Sequence, residues 1–180
     1  MSTAGDGIEA RLAAVEAELA IRKLIARYMF AVDDRDLEAL RALFTEDARL
    51  STADGVLDAR GREAILALYQ QRFDALGFSN HFAHDVVIEL DGEDRATGVV
   101  SAHAELWRNE VQQLAALRYQ DRYARQDGRW RLAERRMLYV YYAPFDRYGA
   151  LLGSVLRNFT HGEPKPADAP ERSPAFPRSV

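Results

Sequence analysis

Four histidines punctuate this 180-residue chain, and histidine is the side chain poised to move protons near neutral pH. His81 stands between Asn80 and Phe82, where a helical pattern has ended and a sheet pattern begins. A strand-entry position in a curved sheet points towards the mouth of that sheet. His103 shares an alternation with Val99, Ser101, Glu105 and Trp107 in the following strand. Asp33 falls at the C-terminal end of the first helical pattern, where the helix dipole is negative and a carboxylate is unfavourable. A carboxylate there needs a compensating donor, and an imidazole is a good one. Each of these residues also has a structural reading. An aspartate after a helix is usually a cap or a solvated loop residue, and a lone strand histidine is more often hydrogen-bonded in place. Tyr28 falls on an apolar stripe and reads as core with its hydroxyl satisfied locally. Arg135 and Arg136 equally suit ion pairs with Glu134 or Asp121, and His84 and His161 read as structural or exposed.

Other chemistries are poorly served. There is no cysteine, so thiolate catalysis and cysteine-bound zinc are excluded. No two histidines stand at i, i+4, and no carboxylates cluster around them, so no metal is expected. Glycine-rich phosphate loops and nucleophile elbows are absent, and no cofactor is called for. The formal net charge of −4 gives no basic face for nucleic acid. No segment approaches the ~20 apolar residues of a membrane span, and the opening residues lack a basic region followed by an apolar run. A cytoplasmic location without membrane contact is the expectation.

The elements that must position these residues follow from hydrophobic periodicity. Ile8, Leu12, Val15 and Leu19 keep helical spacing, and the stripe then shifts phase to Ile21, Leu24, Ile25, Tyr28, Met29 and Val32. This predicts one long helix, or two in line, ending near Val32. Asp33 to Asp36 interrupt it and cap a short helix carrying Leu37, Leu40, Leu43 and Phe44. Ala48–Thr52 and Val56–Ala59 read as a hairpin. A helix from Gly61 buries Ile65, Leu66, Leu68, Tyr69, Phe73 and Leu76, with Gly77 as its stop. The second half switches to strands: Val86–Leu90, Ala96–Arg108, Leu117–Arg125, and Arg129–Tyr142 after a tight Asp127-Gly128 turn. Helices first and a long meander afterwards predict an α+β fold, a cone-shaped curved antiparallel sheet with N-terminal helices packed over it. Residues 1–7 read as a disordered lead-in, 8–145 as the domain, and 146–180 as an irregular Pro-rich tail, disordered or wrapped over a neighbouring subunit.

The segments Ile21-Arg22-Lys23-Leu24-Ile25-Ala26-Arg27-Tyr28, Val32 to Asp36, and Leu43-Phe44-Thr45-Glu46-Asp47-Ala48 resemble the opening of the SnoaL-like superfamily. Tyr119 to Leu132, followed by Arg135, resembles its close. The resemblance spans residues 8–145 and is nearest to scytalone dehydratase, lindane dehydrochlorinase and bile-acid 7α-dehydratase, cofactor-free lyases built on an Asp–His dyad. It implies that Asp33 and His81 form that dyad and that Tyr28 lies in the pocket. It further implies that His103 is a second pocket histidine and that Arg135 is a pocket arginine, with Arg136 in its place if the strand is bulged. Asp85 stands where relatives often have asparagine and would add charge near the mouth.

The expectation is therefore a lyase or isomerase acting on a small cyclic, largely apolar substrate by Asp–His proton abstraction, with Phe30, Leu50, Phe73, Phe82, Trp107 and Tyr139 lining its pocket. The alternatives are a non-catalytic ligand-binding domain and an accessory subunit resembling aromatic-ring dioxygenase β chains. Tyr119, Tyr123, Met137, Tyr139, Tyr141 and Tyr142 lie along the last two strands, and strict alternation would expose some of them. Exposed rings mark an interface, so a homo-oligomer is expected. A trimer is favoured over a dimer because the lyases it resembles are trimers.

Overall fold

A computed structural model describes residues 4–172. Helix α1 spans Ala4–Asp33, one continuous helix as its two-phase stripe allows. It starts inside the expected lead-in, whose residues 1–3 lie outside the described part. The first stripe is not core: Ile8, Leu12, Val15 and Leu19 are all more than half exposed, whereas Ile21, Leu24, Ile25, Tyr28, Met29 and Val32 are buried. Arg35, in a left-handed conformation (φ 58°), turns the chain. The Asp36 carboxylate caps α2 (Leu37–Leu43) by accepting from the Ala39 N–H at 2.8 Å.

Strands β1 (Phe44–Thr52) and β2 (Asp58–Arg60) pair antiparallel, with Phe44 opening the strand rather than ending the helix. Helix α3 (Arg62–Ala75) presents Ile65, Leu66, Tyr69 and Phe73 to the core. It ends before Gly77, which belongs to the next strand. There the Trp107 indole lies where a Cβ would sit, 2.6 Å away, so only glycine fits. Four long strands follow: β3 (Leu76–Asp91), β4 (Arg95–Arg108), β5 (Val111–Gln126) and β6 (Arg129–Pro144). The expected Asp127-Gly128 turn has both residues at positive φ, and so has the Asn109-Glu110 turn, which no glycine announces.

The main path through the sheet runs β2-β1-β6-β5-β4-β3, and along it every pairing is antiparallel except that of β1 with β6. It is curled and unclosed, and α1 to α3 pack over its concave side. The α+β expectation holds.

The tail after Pro144 is more ordered than expected. A short 3-10 turn (Phe145–Arg147) leads into α4 (Tyr148–Leu151), β7 (Leu156–Asn158) and β8 (Lys165–Pro166). The tail packs on its own domain. The Phe159 N–H donates to the Tyr142 carbonyl at 2.7 Å, and the Asp168 carboxylate accepts from the Tyr139 N–H at 3.0 Å. Ala167, Asp168 and Ala169 are buried. Pro174 and Pro177 lie outside the described residues.

Candidate active site

Asp33 ends α1, and β3 runs past it. The Ser79 hydroxyl donates to Oδ1 at 3.0 Å, the His81 N–H donates to Oδ2 at 2.7 Å, and His81 Nδ1 lies 2.6 Å from Oδ1. These donors supply the compensation that a carboxylate at a helix C-terminus requires. Burial would raise the Asp33 pKa, but the His81 ring and N–H and the Ser79 hydroxyl outweigh it and hold the group below its ordinary value. Arg35 fastens the same corner by donating to the carbonyls of Leu76, at 2.7 Å, and Gly77. With Nδ1–H given to the carboxylate, the tautomer is set and Nε2 carries the free lone pair. Both side chains are about 15% exposed, and His81 forms part of the wall of a cavity of about 440 Å³ inside the cone.

One row of the sheet explains the cavity. His81 pairs with Ala104, Ala104 with Ala115, and Ala115 with Tyr142. Two alanines between two large side chains leave an empty floor. The other walls include Tyr28, Tyr69, Phe73, Tyr119 and Tyr139. The hydroxyls of Tyr28 and Tyr69 touch. Burial, reinforced by neighbouring phenols, pushes the Tyr69 and Tyr119 hydroxyls well above their ordinary range, so they remain protonated donors.

Tyr28, Phe73 and Tyr139 therefore stand on the cavity wall as the sequence suggests. Other expected residues do not. Leu50 is fully buried in the core but off the cavity. Phe30 is 69% exposed on the outer side of α1, and Phe82 and Trp107 lie on the outer face of the sheet, 38% and 47% exposed.

His103 is on that outer face too. Its Nδ1 lies 2.5 Å from His84 Nε2, and its ring stacks between those of Phe82 and His84, each at 4.7 Å. Burial and the neighbouring His84 lower its pKa. The phase was legible: from 96 to 106 the even positions read Ala96, Gly98, Val100, Ala102, Ala104 and Leu106, all small or apolar, and these face inward. Reading the strand by the phase that carries the histidine inverts it. Asp85 sits outside as well, in a bulge where its N–H donates to Ser101 Oγ at 3.0 Å, so it adds no charge at the mouth.

Arg135 is inside but behind the wall. Its guanidinium is fully buried and grips Asp121 through two bonds, Nε–Oδ1 at 2.9 Å and Nη2–Oδ2 at 2.6 Å. Tyr123 donates to the same carboxylate at 2.7 Å. The cation is sandwiched between the Tyr28 and Tyr119 rings, 4.1 and 4.3 Å from their centroids. Its structural reading, as the partner of Asp121, is the one the geometry bears out. A bulge at Ala133 turns both Leu132 and Arg135 inward and leaves Arg136 exposed. A second bulge, at Val140, does the same for Tyr139 and Tyr142. The rings of Tyr119, Tyr123, Tyr139 and Tyr142 are thus all buried, and only Tyr141 of the six residues expected to split between the faces is half-buried.

Sequence reasoning missed Arg72, Arg108, Tyr142 and His161, all on the cavity wall. Arg72 stands three residues after Tyr69 on the same helical face, and Arg108 continues the even phase of β4. Neither stands out in the sequence, because arginine ordinarily reads as surface.

The segment 13–136 matches the SnoaL-like domain model. The chain belongs to the SnoaL-like family. Hexachlorocyclohexane dehydrochlorinase LinA-type3 from Novosphingobium barchaimii shares the fold at a TM-score of 0.69 and 22% identity, over 75% of this chain and 94% of that one. A scytalone dehydratase-like protein from Novosphingobium aromaticivorans gives 0.69 and 21%, over 74% and 90%. A Mycobacterium tuberculosis protein of unknown function gives 0.65 and 28%, over 77% and 79%. No curated protein matches the chain significantly.

Proposed function

We propose that this SnoaL-like protein is a dehydratase-like lyase or isomerase that acts on a small cyclic substrate without a cofactor, with His81 as its base. The observation that carries the reading is the 2.6 Å contact between Asp33 and His81, whose ring forms part of the cavity wall. His81 Nε2 takes a proton from carbon. The released pair forms a C=C bond, and the bond to a leaving group on the adjacent carbon breaks with its electrons. Asp33 fixes the ring and stabilises the imidazolium that forms. The Tyr28 hydroxyl, in contact with Tyr69, is positioned to donate to the departing oxygen or to a developing enolate, an effect worth a few kcal/mol per donor. Tyrosine rings and apolar walls suit a cyclic substrate. The test is incubation with a panel of cyclic β-hydroxy ketones while following conjugated products by absorbance. His81→Ala should abolish turnover. Asp33→Asn should reduce it by roughly 10²-fold or more, with both variants folded. Unchanged turnover in both variants removes the dyad mechanism, and no turnover of any compound by the native protein turns the reading to a binding module.

A further inference from the structure

The carboxylates and arginines on the cavity wall are not paired with one another. Its carboxylates are all engaged. Asp58 pairs with Arg49 at 2.7 Å and with Arg60 at 3.2 Å. Asp54 accepts from Thr52 Oγ1 at 2.6 Å and faces Lys165 at 3.5 Å and His161 at 3.9 Å. Its two arginines, both half-buried, have no carboxylate within 4.0 Å among the described residues. Arg108 Nη1 lies 3.5 Å from the Tyr142 hydroxyl. Burial acts against the Arg72 charge, and the phenol of Tyr139 beside it helps to hold that charge. A neutral phenol does not cancel a guanidinium. Elsewhere this protein does pair its buried arginines: Arg135 with Asp121, and Arg157 with Glu171 at 2.5 Å. Two half-buried guanidinium groups that face one cavity without a carboxylate beside either make a place for an anion from outside.

The two arginines also share a place. Arg72 adjoins Tyr139, whose ring meets that of Tyr142 edge-on at 5.8 Å, and the Tyr142 hydroxyl adjoins Arg108. A guanidinium thus flanks each end of a tyrosine pair, that of Arg108 reaching it from β4, four residues beyond Ala104. Three strand spacings separate His81 from Tyr142, roughly 14 Å between main chains.

We infer that the ligand of this cavity is an organic carboxylate, a ring compound whose carboxylate lies between Arg72 and Arg108 while its apolar body covers Ala104 and Ala115 and reaches His81. This refines the substrate class of the lyase proposed above and rests on that reading only for the chemistry after binding. The planar fork of arginine matches a carboxylate in two parallel bonds, which the neutral phenols alone do not offer.

The probes are 1-naphthoate and its neutral isostere 1-naphthamide, titrated calorimetrically into the full chain. The carboxylate should bind roughly ten- to a hundredfold tighter than the amide, as charge-assisted bonds predict. Arg72→Gln and Arg108→Gln should each lower carboxylate affinity about tenfold while leaving the amide unchanged, and Arg72→Lys should retain more of the preference than Arg72→Gln. Thermal midpoints close to the native value show that the variants fold, and loss of affinity for the carboxylate alone is a readout a misfolded variant does not give. Equal affinity for both probes, a preference unmoved in both glutamine variants, or no carboxylate binding at millimolar concentration overturns the inference. Carboxylate preference in a protein that turns nothing over would refute the lyase reading alone. Turnover of neutral ketones by a protein indifferent to the carboxylate would refute this inference alone.

Discussion

Removing Asp121 separates a structural Arg135 from a catalytic one. Both side chains of the pair are fully buried, and Asp121 accepts three hydrogen bonds, two from Arg135 and one from Tyr123. Asp121→Leu leaves a desolvated guanidinium with only two aromatic faces for company. Breaking one side of such a pair costs about 3–5 kcal/mol, a large part of a total stability of roughly 5–15 kcal/mol. In a domain of this size that lowers the melting temperature by roughly 6–20 °C. Arg135→Met should be similarly damaging, because it strands the carboxylate. The double variant removes both charges at once and should return to within about 2 kcal/mol of the native protein. Urea unfolding of the native protein, both singles and the double closes the cycle. Single-variant losses below about 1 kcal/mol, or effects that simply add, would refute the account of a self-contained pair behind the wall. Turnover lost in a fully stable Arg135→Met protein would restore the arginine to catalysis.

The same geometry sets three further outcomes. Ala104→Leu fills the floor between His81 and Ala115, so ligand binding should fall at least about tenfold while thermal stability holds or rises by roughly 0.5–2 kcal/mol; undiminished binding would show that the alanine row is not the floor. The depressed Asp33 pKa contributes stability above the unfolded carboxylate value of about 3.9 that is lost as pH falls through its lower folded value. The stability gap between native protein and Asp33→Asn should therefore be flat near neutrality and shrink in that acid window, and a pH-independent gap in urea unfolding would contradict the assignment. We also propose a homo-oligomer, now on different surfaces: the exposed stripe Ile8, Leu12, Val15 and Leu19 on α1 and the outer rings Phe78, Phe82 and Trp107. Sedimentation equilibrium should give a multiple of the 20.3 kDa chain, and a mass equal to one chain at all concentrations would exclude it.

Much of this was legible along the chain. The helical stripe from Ile21 to Val32, the capping Asp36 and the Asp127-Gly128 turn are local features, and each appears where its residues dictate. The pairing of Asp33 with His81 was readable from an electrostatic need, a carboxylate at the wrong end of a helix, together with the family resemblance. Less legible was the exposed half of α1, because Ile8 to Leu19 are as regular as a buried stripe and sequence does not state whether anything packs against them.

The even phase of β4 was legible in its small and apolar residues, but which residues of the last strand face inward was settled only in three dimensions. A strand's side chains alternate, so one extra residue reverses everything beyond it. Bulges at Ala133 and Val140 bury Arg135 and Tyr142 against simple alternation, and the opposite choice of phase on β4 sends His103 outside and Arg108 in. Which strand supplies the extra residue depends on how the sheet curls around its core, and no neighbour in sequence reports that. The chain by itself determined the elements, their order and the residues competent for proton transfer. The curl of the sheet decided which of them share a cavity, because a cavity belongs to residues brought together from α1, α3, the four long strands and the tail at once.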